Sequence, residues 1–184
     1  MRDVTVLRWI TVEAPVGPVS AGCSETGVAE VCFGPPPAGA DGPAGAAPEA
    51  LVSAAQMRLA EYFAGQRRVF DLPLDWGTVS GTRQQVLALL AESVRFGETI
   101  TYGALAQRLA DRDGRPPVGA RAIGRMMGSN PIPVIVPCHR VVASDGLGGF
   151  SGGCGPELKR WLLTFEDALP AMLDFGEPLF PATR

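Results

Sequence analysis

The chain has a single histidine, His139, in 184 residues. One imidazole excludes every metal site that needs two His ligands. Cysteine is also scarce: Cys23, Cys32, Cys138 and Cys154, with no Cys-x-x-Cys pair, so a four-thiolate zinc site lacks its usual spacing. No stretch approaches the roughly 20 apolar residues of a membrane helix. Met1-Arg2-Asp3-Val4 does not begin an apolar run of the signal-peptide kind. The expectation is a cytoplasmic chain with reduced thiols, no metal and no membrane partner. An excess of basic charge is missing as well. The net charge is -3, which taken globally argues against a nucleic-acid partner.

What is present is a sufficient core. Apolar residues make up 46% of the chain, too many for a disordered segment, and the length allows one domain or two small ones. Residues 4–10, 17–21 and 28–33 are rich in Val, Ile and aromatics and read as strands. Cys23 and Cys32 flank a turn at Glu25-Thr26-Gly27 and read as small buried side chains. Residues 34–48, mostly Gly, Pro and Ala, read as a surface loop. Residues 49–65 have helical spacing, with Leu51, Ala55, Leu59, Tyr62 and Phe63 on one face and Gly65 as the stop. Residues 69–72 are expected to add a last strand. Strands followed by a helix predict an α+β fold that opens with a small α/β domain with an antiparallel sheet over residues 1–78.

Residues 79–169 read as mainly helical. Ser80 or Thr82 is expected to cap a helix carrying Val86, Leu87, Leu89, Leu90 and Val94. Thr101 is expected to cap a shorter one with Leu105, Ala106 and Leu109 inside. After a polar loop at 111–117, residues 118–129 predict another helix with Ala122, Ile123 and Met126 inward, ended by Pro131. Such a pair resembles a helix-turn-helix with a long connection, although plain packing produces helix pairs too. Local charge reverses the global sign. Between Thr101 and Arg140 stand six arginines (Arg108, Arg112, Arg115, Arg121, Arg125, Arg140) against Asp111 and Asp113. An acidic chain can therefore still offer DNA a basic face. Residues 170–184 form a tail without an assigned role.

The chemistry concentrates at 132–140, Ile-Pro-Val-Ile-Val-Pro-Cys-His-Arg. The apolar run predicts a buried strand whose unpaired end aims Cys138 from a turn stiffened by Pro137. A thiol reacts as thiolate, and its free pKa of about 8.5 falls near cations or an imidazole. His139 and Arg140 are thus candidates for activating Cys138. Adjacent residues on an extended chain point to opposite sides, so a Cys138–His139 interaction needs a bridging water or a turn. A structural cysteine beside a surface His and Arg is the alternative. Residues 146–153 form a glycine-rich loop that permits close approach of a ligand. It lacks the Lys-Ser/Thr ending of a phosphate-binding loop.

Pro137-Cys138-His139-Arg140-Val141 resembles the signature of the O6-alkylguanine-DNA alkyltransferases, or methylated-DNA–protein-cysteine methyltransferases. The match extends through Phe96 to Tyr102, Arg121-Ala122-Ile123-Gly124, Asn130-Pro131, Ser151-Gly152-Gly153 and Lys159-Arg160-Trp161-Leu162-Leu163, and is strong over about residues 80–167. The resemblance implies a ribonuclease H-like N-terminal domain and a winged-helix-like C-terminal domain with a helix-turn-helix. It implies that Cys138 accepts the alkyl group, that His139 activates it through a bound water, that Glu166 orients His139, and that Asn130 braces the turn. Arg121 resembles the finger that fills the space of a flipped base, and Tyr102 the residue that hydrogen-bonds a ring nitrogen. Val141 and Ser151 would hold the base edge. Ala120, Ala122 and Gly124 would allow close approach to the minor groove of double-stranded DNA. The implied reaction is in-line displacement at the alkyl carbon of O6-alkylguanine, with O4-alkylthymine as a further substrate. Each molecule acts once, as a monomer or cooperatively on DNA, and without a cofactor.

The chain departs from the family pattern in several places. Phe150 replaces a tyrosine before Ser151. Gly128-Ser129 replace a basic residue, for which Arg125 would compensate. Arg83-Gln84-Gln85 lack an aromatic, and the 111–117 loop is long. Two other readings stand beside repair. A non-catalytic binder of alkylated DNA would lack the acceptor cysteine, which is present here. A cysteine hydrolase or thiol transferase unrelated to DNA would leave Arg121 and the local arginine excess unexplained.

Overall fold

The computed structural model describes residues 7–40, 47–149 and 155–169. The chain divides into two compact units, the first ending at Thr78 and the second beginning at Val79. Together they make a mixed α/β protein with a small antiparallel sheet and, among the described residues, five α-helices.

In the first unit, β1 (Arg8–Ala14), β2 (Gly17–Cys23) and β3 (Val28–Phe33) form the sheet in that order. The short turn at Pro15-Val16 sets the register. Ala14 faces Gly17, and the ladder runs back to Arg8 opposite Cys23. This carries β1 beyond the expected residues 4–10, of which 4–6 lie outside the described residues. Val12, Val19, Ala21 and Val31 are buried. Helix α1 (Glu49–Phe63) packs on β1 and buries Val52, Ala55, Leu59, Tyr62 and Phe63. Leu51, expected inward, is half-buried, because Val52 continues the Ala55–Leu59 spacing.

Residues 69–72 do not form the expected strand. Asp71 has a left-handed φ of 48°, Val69 is 61% exposed, and the Arg58 guanidinium takes the Phe70 and Asp71 carbonyls that a ladder would need. Cys23 is buried and Cys32 half-buried. Burial pushes the Cys23 thiol up to about 11, so it is unreactive at neutral pH.

In the second unit, α2 (Gly81–Ser93), α3 (Tyr102–Asp113) and α4 (Ala120–Gly128) pack on one another. Ser80 is the N-cap residue of α2, though its side chain makes no capping bond. Thr101 does cap α3, accepting from the Ala104 amide at 3.1 Å. Strands β4 (Ile100–Thr101) and β5 (Val141–Val142) pair in parallel, which ties the start of α3 to the chain just after Cys138. Helix α4 is shorter than the expected 118–129 and turns Ile123 and Met127 inward; Ala122 and Met126 are half-buried. Helix α5 (Gly155–Phe165) buries Leu158, Lys159, Leu162 and Leu163.

Candidate active site

The apolar run from Ile132 to Val136 is not the expected strand. Pro131, Pro133 and Pro137 remove three backbone donors, so a ladder has too few partners. The segment folds instead into tight turns. The Ile135 amide donates to Pro133 O at 2.9 Å and the Val136 amide to Ile132 O at 2.8 Å. Asn130 supplies what the prolines cannot. Its Nδ2 donates to Val136 O at 2.8 Å, and its Oδ1 accepts from the Ile132 amide at 3.1 Å. Val134 has φ 71°, a left-handed conformation that is costly for a β-branched residue. Burial of Ile132, Val134, Ile135 and Val136 and the Asn130 amide hold it there.

Cys138–Arg140 form a 3₁₀ turn, so the side chains of Cys138 and His139 are not thrown to opposite sides as on an extended chain. All three residues are buried. His139 Nε2 meets Glu166 Oε1 at 2.9 Å, just past the end of α5. Arg140 grips the same carboxylate, Nε to Oε2 at 2.7 Å and Nη2 to Oε1 at 2.9 Å, while Nη1 donates to Val94 O at 2.8 Å. Arg140 therefore serves Glu166, and the expectation that it activates the thiol is corrected. Its fork geometry matches a carboxylate, which keeps it there.

Burial alone would raise the Glu166 carboxyl, but His139 and Arg140 outweigh it and hold it well below the usual carboxylate range. Burial holds the His139 imidazole below its ordinary value despite the opposing Glu166 charge, so the ring is neutral at physiological pH. With Nε2–H given to Glu166, Nδ1 is left as an acceptor. It has no hydrogen-bond partner among the described residues.

Burial raises the Cys138 thiol. A hydrogen bond from Asn130, the charge of Lys159 and the amides of Cys138 and His139 oppose that rise. Lys159 is fully buried. Its Nζ donates to Val141 O at 2.6 Å and to Gly149 O at 3.1 Å, and stands 5.6 Å from the Tyr102 ring centre. The Tyr102 hydroxyl also donates to Gly149 O, at 3.2 Å. Burial, then the charge of Cys138, raises its pKa.

Cys138, Asn130, His139, Glu166, Val141 and Tyr102 thus converge. Ala120, Arg121 and Arg125 lie exposed on α4, on the element that brings Gly124 against the Tyr102 ring. Ser151, like Phe150 and Cys154, lies outside the described residues. The role of Lys159 was missed in the sequence. Its signal was a charged residue on the apolar stripe Leu158-Leu162-Leu163 of α5, a position a lysine occupies only with partners.

A thiol whose ionisation depends on such a cradle is suited to attack an electrophilic carbon. That defines a protein that uses cysteine as a nucleophile. Residues 81–168 match the family model for the 6-O-methylguanine DNA methyltransferase, DNA binding domain. Over 90% of its length the chain is 36% identical to the methylated-DNA–protein-cysteine methyltransferase of Rattus norvegicus, of which it covers 85%. A shorter alignment with the protein of the same name from Mus musculus is 51% identical over 84 residues, spanning 45% of this chain and 37% of that protein. The structure of Mycobacterium tuberculosis OGT in complex with DNA is similar with a TM-score of 0.67 and 32% identity, covering 88% of this chain and 93% of that one. The chain belongs to the methylated-DNA–protein-cysteine methyltransferase family.

Proposed function

We propose that the protein repairs alkylated DNA directly, moving the alkyl group of O6-alkylguanine, and of O4-alkylthymine, onto Cys138 in a reaction each molecule performs once. The observation that carries this reading is the fully buried His139–Glu166 pair, which leaves Nδ1, on the residue next to the thiol, without a partner among the described residues. The Cys138 proton passes through an intervening water to His139. The thiolate attacks the alkyl carbon in line, the S–C bond forms and the C–O6 bond breaks. The departing guanine takes up a proton, so that thiol and alkylguanine become thioether and guanine. Glu166 orients the imidazole, and Asn130 holds the turn that presents the thiol.

The partner is double-stranded DNA, met in the minor groove by α4 with Ala120 at its start. A stacked base cannot offer its O6 substituent to a protein thiol in line, so the base is flipped out. Arg121 fills its place, Arg125 contacts the backbone, and Tyr102, Val141 and Ser151 line the pocket. The exposure of Arg121 and Arg125 on α4 supports this assignment. The two units, 1–78 and 79–169, would be of ribonuclease H-like and winged-helix-like type, and the protein would work in the cytoplasm as a monomer, free to bind cooperatively along DNA. The test is to incubate the protein with DNA carrying O6-methylguanine and weigh it intact. A gain of one methyl group on Cys138 is expected. Binding without modification would instead favour a non-catalytic binder, and the absence of both binding and modification would favour a thiol enzyme unrelated to DNA.

A further inference from the structure

Six arginines stand between Thr101 and Arg140, and the fold occupies three of them. Arg140 is buried on Glu166, Arg112 pairs with Asp113 at 3.1 Å, and Arg108 donates to the Ser93 carbonyl and hydroxyl. Arg115, Arg121 and Arg125 are exposed, and among the described residues their side chains have no hydrogen bond or ion pair. The repair reading uses Arg121 and Arg125 and leaves Arg115 without a task. We propose that Arg115 is a further DNA-binding residue, contacting a backbone phosphate beside the groove that α4 enters.

The connection that carries Arg115 is built to hold it in place. Helix α3 ends at Asp113, and Gly114, at φ 64° and ψ 31°, turns the chain while its amide donates to Ala110 O. The Arg115 amide donates to the same carbonyl at 3.2 Å. Pro116 and Pro117 fix two further φ angles. Val118 is half-buried and, with Arg115 and Pro116, lines a small cavity against Thr82, Leu109 and Ala110, so the connection is seated on α2 and α3. Gly119 then opens α4. A cation held at a fixed place loses less freedom on meeting an anion than one on a floating loop.

Charge and position choose the partner. The five residues from Arg115 to Ala120 span at most about 18 Å, and the minor groove is about 6 Å wide, so the backbone flanking α4 is within reach of a long side chain. Arg115 precedes the first turn of α4 and Arg125 lies in its last turn, so the two bracket the helix. Of the two acids in this stretch, Asp111 accepts from Gln107 and Asp113 from Arg112, and neither claims Arg115. A guanidinium suits a phosphate, and a phosphate contact adds affinity without reading sequence.

This inference rests on the repair reading but is tested apart from it. Binding is titrated against salt for wild-type protein, Arg115→Ala and Arg115→Lys. The probes are a duplex carrying O6-methylguanine, just long enough for one molecule, and the same duplex without the lesion. Each phosphate contact adds about 0.9 to the slope of log affinity on log salt. Arg115→Ala should therefore flatten the slope by about one on both duplexes, so that the wild-type advantage shrinks about 3.5-fold between about 50 and 200 mM salt. Arg115→Lys keeps the charge and should keep the wild-type slope. Methyl transfer at subsaturating DNA should slow in step with the lost affinity. An unchanged slope in Arg115→Ala, or a loss confined to the lesion duplex, overturns the inference. So does an effect that emerges only on duplexes long enough for several molecules, which would assign Arg115 to contacts between neighbouring copies. Wild-type protein that transfers no methyl group overturns the repair reading instead, whatever the slope.

Discussion

His139 and Glu166 meet at 2.9 Å with neither side chain exposed to solvent. Such a contact requires a further group to balance the carboxylate, and Arg140 provides it with two bonds to the same two oxygens. The arrangement leaves His139, next in sequence to the thiol, one nitrogen without a partner among the described residues. Chemistry and stability thus share one buried cluster.

Glu166→Gln should therefore damage both. The amide is close to isosteric, but it brings donors to a site where His139 and Arg140 already donate. We expect a loss of roughly 3 kcal/mol, the cost of leaving a buried cation unbalanced, measured by urea denaturation, together with a large fall in transfer rate. The wild-type protein should also lose stability in acid in two stages. Folding holds His139 below its ordinary 6.5, so the unfolded chain takes that proton first and stability declines as pH falls through 6.5. Glu166 is held below its ordinary 4.5, so its contribution is complete above that value and drains away below it. A Glu166→Gln protein whose stability falls below pH 4.5 as steeply as wild type would refute the assignment.

Cys138→Ser should abolish methyl transfer while leaving DNA affinity near the wild-type value. The alcohol is far less acidic than the thiol, and the groups that offset the burial of a thiol cannot ionise it at neutral pH. Intact mass after incubation reads the first effect, and a fluorescence-anisotropy titration with lesion DNA reads the second. Loss of DNA affinity in step with activity would make Cys138 a structural residue.

The residues of this cluster were legible because the motif Pro137 to Val141 is contiguous, and Glu166 follows from the same resemblance. Their geometry was not legible. The apolar run before Cys138 reads as a strand by composition, yet three prolines withhold the donors a ladder needs, and the outcome depends on one amide, Asn130, reaching six residues along the chain. Arg140 reads as the thiol's neighbour because it is close in sequence, but its fork is claimed by a carboxylate 26 residues away. Residues 69–72 fail as a strand for the same kind of reason, since Arg58 takes their carbonyls from a distant helix. Helices with regular apolar spacing, such as α1 and α3, needed no such information and lie close to their expected positions.

Asn130→Ala should expose how much the turn depends on that amide. Two buried backbone groups, Val136 O and the Ile132 amide, lose their partner, at about 1–3 kcal/mol each. Val134 is then held at its left-handed φ by packing alone. The thiol should also titrate higher, because the Asn130 hydrogen bond is the largest influence opposing its burial. Thermal denaturation and the pH dependence of iodoacetamide alkylation measure the two effects. A destabilised protein with an unshifted thiol would separate the brace from the cradle and refute the second role.

Gly148→Ala tests the pocket from the opposite side. Gly148 has φ 68°, and a Cβ there would lie 2.9 Å from Tyr102 Cε2 and 3.3 Å from the Ala143 amide nitrogen. The left-handed backbone costs an alanine about 1 kcal/mol, a modest loss for the fold. The larger effect falls on Tyr102, whose ring must give way, while its hydroxyl is bonded to Gly149 O and its face lies beside the Lys159 ammonium. Displacing the ring disturbs the wall of the proposed base pocket. Transfer should fall by about tenfold or more, in keeping with the sensitivity of positioned reactions to small displacements, while the melting temperature drops by only a few degrees. Reaction of Cys138 with iodoacetamide, which needs no base pocket, should stay within about twofold of wild type. If iodoacetamide alkylation falls as much as methyl transfer does, the substitution has disturbed the thiol itself and Tyr102 does not shape the base pocket.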